Sequence, residues 1–239
     1  MKIIAVLLAW PLVAFAQAEA GTHELVGQVG SRAALLTLNA TQRADGGWQL
    51  TGEYVLLPMQ QRRFVQGESS PEIGVTTLSE GETPILFGRP ASGELRGIWR
   101  AGRFHGTRYG PGGQERERFE FSASFPSLDA YSAKVRCEAR ADDGSAALDY
   151  VVQAGKVRSF QWIAHAGAAS CRVADPLQEP MSGGIRLAAD GCRITLRDLG
   201  ESLRVAAEGC SEQCQAPARL EPLLVDRRGR CELFRPQPR

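Results

Sequence analysis

Two groups of residues in this chain have the types and spacing for chemistry. The first is six cysteines, Cys137, Cys171, Cys192, Cys210, Cys214 and Cys231, all in the C-terminal half, with none before position 137. In an oxidising compartment six thiols pair as three disulfides, and several connectivities satisfy that count. The expected set joins Cys210 to Cys214 locally, Cys171 to Cys192 across a loop, and Cys137 to Cys231 between the first and last strands of the C-terminal half. A metal site is the rival use of such residues. It is not expected here, because no Cys-x-x-Cys occurs and no histidine lies near the Cys210/Cys214 pair. Pairing all six also leaves no free, low-pKa thiol for nucleophilic catalysis.

The second group lies between Ala101 and Gly113. Arg103, Phe104, His105, Arg108 and Tyr109 are bracketed there by Gly102, Gly106, Gly110, Gly112 and Gly113. Arginine and tyrosine dominate the energetics of protein interfaces. A long glycine-rich hairpin presenting these side chains to a protein partner is the functional expectation; a mobile loop with Phe104 tucked into a core is the alternative. Arg62 and Arg63, in Pro58–Phe64, offer the same chemistry on a shorter segment and are expected to assist.

Catalytic signatures are missing. There is no Gly-x-Ser-x-Gly, no His-Glu-x-x-His and no glycine-rich phosphate loop between a strand and a helix. Of the three histidines, His23, His105 and His165, the last follows Trp162-Ile163-Ala164 and reads as a strand-end residue rather than a base. Asp142-Asp143 reads as a turn. No catalytic, cofactor-binding or metal-binding residue is expected, and a hydrolase with scattered catalytic residues stands as an alternative.

Short strands must position these groups. Residues 21–128 read as one all-β unit. Leu35–Leu38 is apolar, Ala44–Gly47 is a hairpin turn, and Trp48, Leu50, Tyr54 and Leu56 share one parity. Further strands are expected at Arg63–Gln66, Val75–Ser79, Leu86–Arg89, Glu94–Arg100 and Arg116–Ser122. Leu50-Thr51-Gly52-Glu53-Tyr54 is echoed by Leu95-Arg96-Gly97-Ile98-Trp99, so each leucine, glycine and aromatic ring faces one side, as in a barrel or curved meander. Pro126–Asp129 reads as a linker. Residues 129–239 form a second, disulfide-stapled β unit, with strands at Ala147–Gln153 and Val157–Ile163 around a turn at Ala154–Lys156. A helical turn is expected at Ala216–Leu220, confined by Pro217 and Pro222. The fold class is all-β, two small antiparallel domains.

The paired Leu-x-Gly-x-aromatic segments resemble a β-rich domain of bacterial envelope proteins, over about residues 24–125; that family brings no activity with it. Ser170-Cys171, Asp190-Gly191-Cys192-Arg193-Ile194, Gly209-Cys210 to Cys214 and Ala218–Pro222 resemble the cysteine-rich domain of secreted, lysozyme-inhibitor-like proteins, over about residues 137–235. Gln215 and Ala216 stand where that pattern has Gly and Ala. The resemblance implies an exported, disulfide-bonded β domain that binds a protein.

The basic and acidic residues number 28 and 27, so no global field would draw the chain to nucleic acid or anionic lipid. Only Lys2, Lys134 and Lys156 among the basic residues are lysine. That bias follows either from genome composition or from the better interface contacts of arginine. Residues 1–20 read as a cleaved export signal: Lys2, the apolar run Ile3–Phe15, and small-x-small sites ending at Ala16, Ala18 or Ala20. The run is too short for a membrane span, and no membrane anchor is expected. Together these features predict a periplasmic protein whose partner is a secreted or toxic enzyme that attacks the envelope: a phospholipase, an amidase or a muramidase. The protein would act as inhibitor or immunity protein. A structural or accessory envelope protein is the alternative.

Overall fold

The computed structural model describes residues 20–69, 74–84, 91–235 and 237–238. The export signal, all but its last residue, and the strand expected at Leu86–Arg89 lie outside the described residues. Eight strands come first: β1 (Gly21–Val29), β2 (Arg32–Gln42), β3 (Trp48–Leu56), β4 (Gln61–Ser69), β5 (Val75–Gly81), β6 (Gly93–Arg100), β7 (Arg103–Tyr109) and β8 (Glu115–Ser122). Each pairs antiparallel with the next, and β8 returns to β1 through Phe119–Ser122 against Val26–Val29. The result is a closed, up-and-down, eight-stranded barrel. At this strand number the interior is just wide enough for side chains to fill it.

Alternation decides which side chains go inside. Leu50, Tyr54 and Leu56 of β3 are buried in the barrel core with Leu25, Leu36, Leu78, Leu95, Phe104 and Phe121, and Trp48 and Trp99 pack at its margin. Trp99 stacks on Phe104, ring centroids 4.8 Å apart, and Phe104 packs at 4.8 Å against Phe119. The glycine-rich loop expected at 101–113 is instead largely strand β7. Its turn is only Ala101-Gly102, both at positive φ, which matches the twist of a two-residue hairpin. Gly106 lies opposite Gly97, inside the barrel. A Cβ on Gly97 would sit 2.8 Å from the Phe119 ring and 2.9 Å from that of Phe104. Gly97 therefore makes room for rings, and a Cβ on Gly106 would sit 2.0 Å from the Arg96 carbonyl oxygen of the neighbouring strand; both roles are packing and not flexibility.

Residues 123–132 lead to a β-sandwich. Strands β9 (Ala133–Ala141), β10 (Gly144–Gln153), β11 (Lys156–Ala166) and β12 (Ala169–Ala174) form one antiparallel sheet. Strands β13 (Leu177–Glu179), β14 (Ile185–Ala189), β15 (Cys192–Asp198), β16 (Ser202–Glu208), β17 (Leu223–Asp226) and β18 (Cys231–Leu233) form the other. The two sheets share one core containing Tyr150, Phe160, Trp162, Leu187, Ile194, Leu196 and Leu223. The single described helical turn is a 3-10 turn at Ser211–Gln213, not at Ala216–Leu220, where Pro217 and the bend around it leave an irregular segment.

Three disulfides staple the sandwich, and two of the expected pairs are corrected. Cys137 of β9 joins Cys231 of β18, as expected, tying an edge of one sheet to an edge of the other. Cys171 pairs with Cys214, and Cys192 with Cys210. The reason is topological. Cys171 is buried on β12 in one sheet and Cys192 on β15 in the other. The turn between Cys210 and Cys214 spans the gap: Cys210, two residues past the end of β16, reaches the neighbouring strand β15, while Cys214 forms a bridge to Cys171 in the opposite sheet.

The outer surface of β1–β3 is apolar and covered. Val26, Leu35, Val55 and Leu57 of the barrel pack with Leu199 and Leu224 of the sandwich, flanked by Phe125 and Phe234. Glu24 accepts hydrogen bonds from Arg197 and, at 2.6 Å, from Arg204, while Arg197 lies over the Phe125 ring. Beyond β18 the chain crosses back: Gln60 donates to the Leu233 carbonyl at 2.8 Å and accepts from the Arg235 amide at 2.7 Å. A last short strand, β19 (Gln237–Pro238), runs parallel to the start of β4.

Candidate functional site: barrel mouth and outer face

Two places concentrate charge. The first is inside the barrel, at the end formed by the β1–β2, β3–β4, β5–β6 and β7–β8 turns. The inward parity of β5 runs Thr76, Leu78, Glu80; that of β7 runs Phe104, Gly106, Arg108; that of β4 includes Arg63 and Val65. Glu80 is fully buried. Its carboxylate takes a two-pronged contact from Arg108, with Nε at 2.8 Å and a terminal nitrogen at 2.7 Å, and accepts the Tyr54 hydroxyl at 2.6 Å. Arg63 approaches the same carboxylate at 3.9 Å and donates to Glu82 at 2.8 Å. On the other flank Arg108 reaches Glu117 at 3.3 Å, and Arg32 meets Glu117 at 3.3 Å.

Three arginines thus face three glutamates, and the layer is neutral. Burial alone would raise the pKa of Glu80. Hydrogen bonds from Arg108 and Tyr54, with the charges of Arg108 and Arg63, outweigh it and hold the carboxyl below its ordinary range. Burial and the neighbouring carboxylate push the Tyr54 hydroxyl well above its ordinary value. The Glu80 contact raises Arg108 in turn. An acid held ionised and a phenol held neutral cannot exchange a proton near neutrality, so this cluster closes and orders the barrel mouth.

The second place is the outer face of β5–β8, on the side of the barrel away from the covered β1–β3 surface. Here Val75, Ile98, His105 and Glu120 stand in one cross-strand row, with Val75 and Ile98 exposed. Arg96 lies over the Tyr109 ring at 5.0 Å. Arg103 meets Glu120 at 3.0 Å across the sheet.

The expected partner-binding residues therefore separate. Arg103, His105 and Tyr109 share the outer face. Phe104 is fully buried and Arg108 is locked to Glu80, so neither is presented to a partner by a loop. Arg62 points outward on β4, beside Glu53 at 3.3 Å and over the Phe64 ring, whereas Arg63 belongs to the mouth. Sequence reasoning missed Glu80, Glu117 and the role of the Tyr54 hydroxyl. A readable signal existed: a charged residue on the inward parity of an otherwise apolar strand, as Glu117 shares the parity of Phe119 and Phe121, and Glu80 that of Leu78.

Among the described residues no group of three or more His, Cys, Asp or Glu side chains could hold a metal ion, and no helix is long and apolar enough to cross a membrane. Comparison with protein-family models, with curated proteins and with solved structures finds no match to this chain. The three disulfides fit an oxidising, extracytoplasmic compartment.

Proposed function

We propose that the protein is a periplasmic binding protein that blocks a secreted, envelope-attacking enzyme, as an inhibitor or immunity protein. The observation that carries this reading is the outer face of β5–β8, where exposed Val75 and Ile98 adjoin Arg96, Arg103, His105 and Tyr109 on hydrogen-bonded strands. Rigid strands hold these side chains with little conformational entropy left to lose, which favours tight association. Buried apolar contacts ringed by arginine and aromatic groups are the composition of interface hot spots. The barrel interior, packed with leucine and aromatic rings beneath a neutral ion-pair layer, favours a scaffold over a carrier of small ligands.

The deciding experiment mixes the purified chain with secreted phospholipases, amidases and muramidases encoded beside its gene, and measures complex formation and turnover. The expected result is a stable complex with one enzyme and loss of that enzyme's activity. Absence of any complex, or turnover of an envelope substrate by the chain itself, overturns the reading.

A further inference from the structure

We infer that the β6–β8 outer face docks an acidic protein surface, with Arg100, Arg116 and Arg118 supplying the attraction. This rests on the binding-protein reading above and specifies its partner's chemistry.

Outward positions of β6, β7 and β8 carry five arginines, Arg96, Arg100, Arg103, Arg116 and Arg118, against three glutamates, Glu94, Glu115 and Glu120. Two of the glutamates are already engaged, Glu94 by Arg96 and Glu120 by Arg103, which leaves Glu115 against three further arginines. Arg100, Arg116 and Arg118 are exposed and have no carboxylate partner among the described residues. The rest of the chain compensates its charge, since the whole sequence carries a formal net charge of only +1. Unneutralised arginines on one rigid face are therefore a local asymmetry, and complementarity calls for carboxylates opposite. Planar guanidinium groups bind carboxylates through two parallel hydrogen bonds, which fixes register as well as sign.

Two features favour a protein over a polyanion such as nucleic acid or a lipid headgroup layer. Val75 and Ile98, directly opposite each other across β5 and β6, present apolar contact area in the same patch. Arg96 is held flat against Tyr109 and paired to Glu94, so part of the cationic surface is already committed to shape rather than to charge. A purely electrostatic footprint would need neither.

The test uses the full mature chain and three immobilised probes: poly-L-glutamate, single-stranded oligothymidylate, and vesicles of phosphatidylglycerol. The wild type is expected to bind poly-L-glutamate more tightly than the other two, and the affinity to fall as salt is raised. The charge-reversed variant Arg100→Glu/Arg118→Glu is expected to lose at least about tenfold in affinity for poly-L-glutamate. Because both positions are exposed, its melting temperature stays at the wild-type value. The inference is overturned if the variant keeps wild-type affinity, or if oligothymidylate or vesicles bind the wild type more tightly. The same variant separates this inference from the broader reading: an enzyme captured equally well by wild type and variant leaves the inhibitor reading standing and removes the acidic-face inference.

Discussion

Replacing Glu80 by glutamine should destabilise the barrel far more than one hydrogen bond is worth. The side chain is fully buried, while those of Arg108 and Arg63 are only 17% and 11% exposed. The substitution leaves two largely buried guanidinium groups facing a neutral amide. Removing one partner of a buried ion pair costs about 3–5 kcal/mol when the remaining charge is uncompensated; Glu117 and Glu82 still contact Arg108 and Arg63, so the lower end of that range applies. In a domain of this size each kcal/mol moves the midpoint by roughly 4–8 °C, so the barrel transition should fall by at least about 12 °C. Trp48 and Trp99 pack at the margin of the barrel core and Trp162 in that of the sandwich, so tryptophan fluorescence in a Trp162→Phe background follows the barrel transition. The double replacement Glu80→Leu/Arg108→Leu should be less damaging than Glu80→Gln, because both charges leave together. About 1–3 kcal/mol should persist from the Tyr54 hydroxyl, which loses its acceptor. A shift under about 2 °C for Glu80→Gln would refute the reasoning. So would a double variant as unstable as the summed singles.

Further expectations follow from the same structure. Since Glu80 has a depressed pKa in the fold, its contribution is complete above the ordinary value of 4.5 and is lost as pH falls through the folded value; acid titration of stability should show this slope in the wild type and not in Glu80→Gln. Tyr54 and Tyr150 are raised above the ordinary value of 10.0, so their contributions hold below that pH and decay as it rises further, which alkaline unfolding at fixed ionic strength would register. Non-reducing peptide mapping should recover Cys137–Cys231, Cys171–Cys214 and Cys192–Cys210. Losing the first, with a sequence separation of 94, should cost more than losing the last, with 18, by about 4–5 against about 3 kcal/mol. Trp99→Ala should cost about 2–3 kcal/mol, below the range for a fully buried ring, because Trp99 stacks on Phe104 at the core margin rather than inside it.

Much of the architecture is written in period-two alternation. Trp48, Leu50, Tyr54 and Leu56 announce an inward face, and the Leu-x-Gly-x-aromatic echo marks two strands of one curved sheet. Strand β7 escapes this reading because Gly102, Gly106 and Gly110 imitate a loop. Only the facing rings of Phe104 and Phe119 show why Gly97 lacks a side chain, and only the close β6 backbone shows why its partner Gly106 does. Cysteine pairing escapes for a related reason. Sequence proximity favours Cys210 with Cys214, but the turn between them sends the two sulfurs to different sheets. The arginine-rich stretch was legible as an important segment, yet not as two opposite faces of one strand. That division depends on register, which places Arg108 against Glu80 of β5, a strand neither adjacent in sequence nor paired to β7. The covered apolar face of β1–β3 was likewise hidden, because Val26, Leu35 and Val55 on the outward parity become intelligible only beside Leu199 and Leu224.

The central claim is that this rigid outer face captures and silences an enzyme. Isothermal titration of the purified chain into each secreted envelope hydrolase encoded near its gene, with activity read in the same samples, addresses it most directly. Wild type should bind one of them with defined stoichiometry and abolish turnover, and Ile98→Asp should weaken that binding by at least about tenfold, roughly 1.4 kcal/mol, without lowering barrel stability. Wild-type binding untouched by Ile98→Asp, or no binding to any of these enzymes, would contradict it.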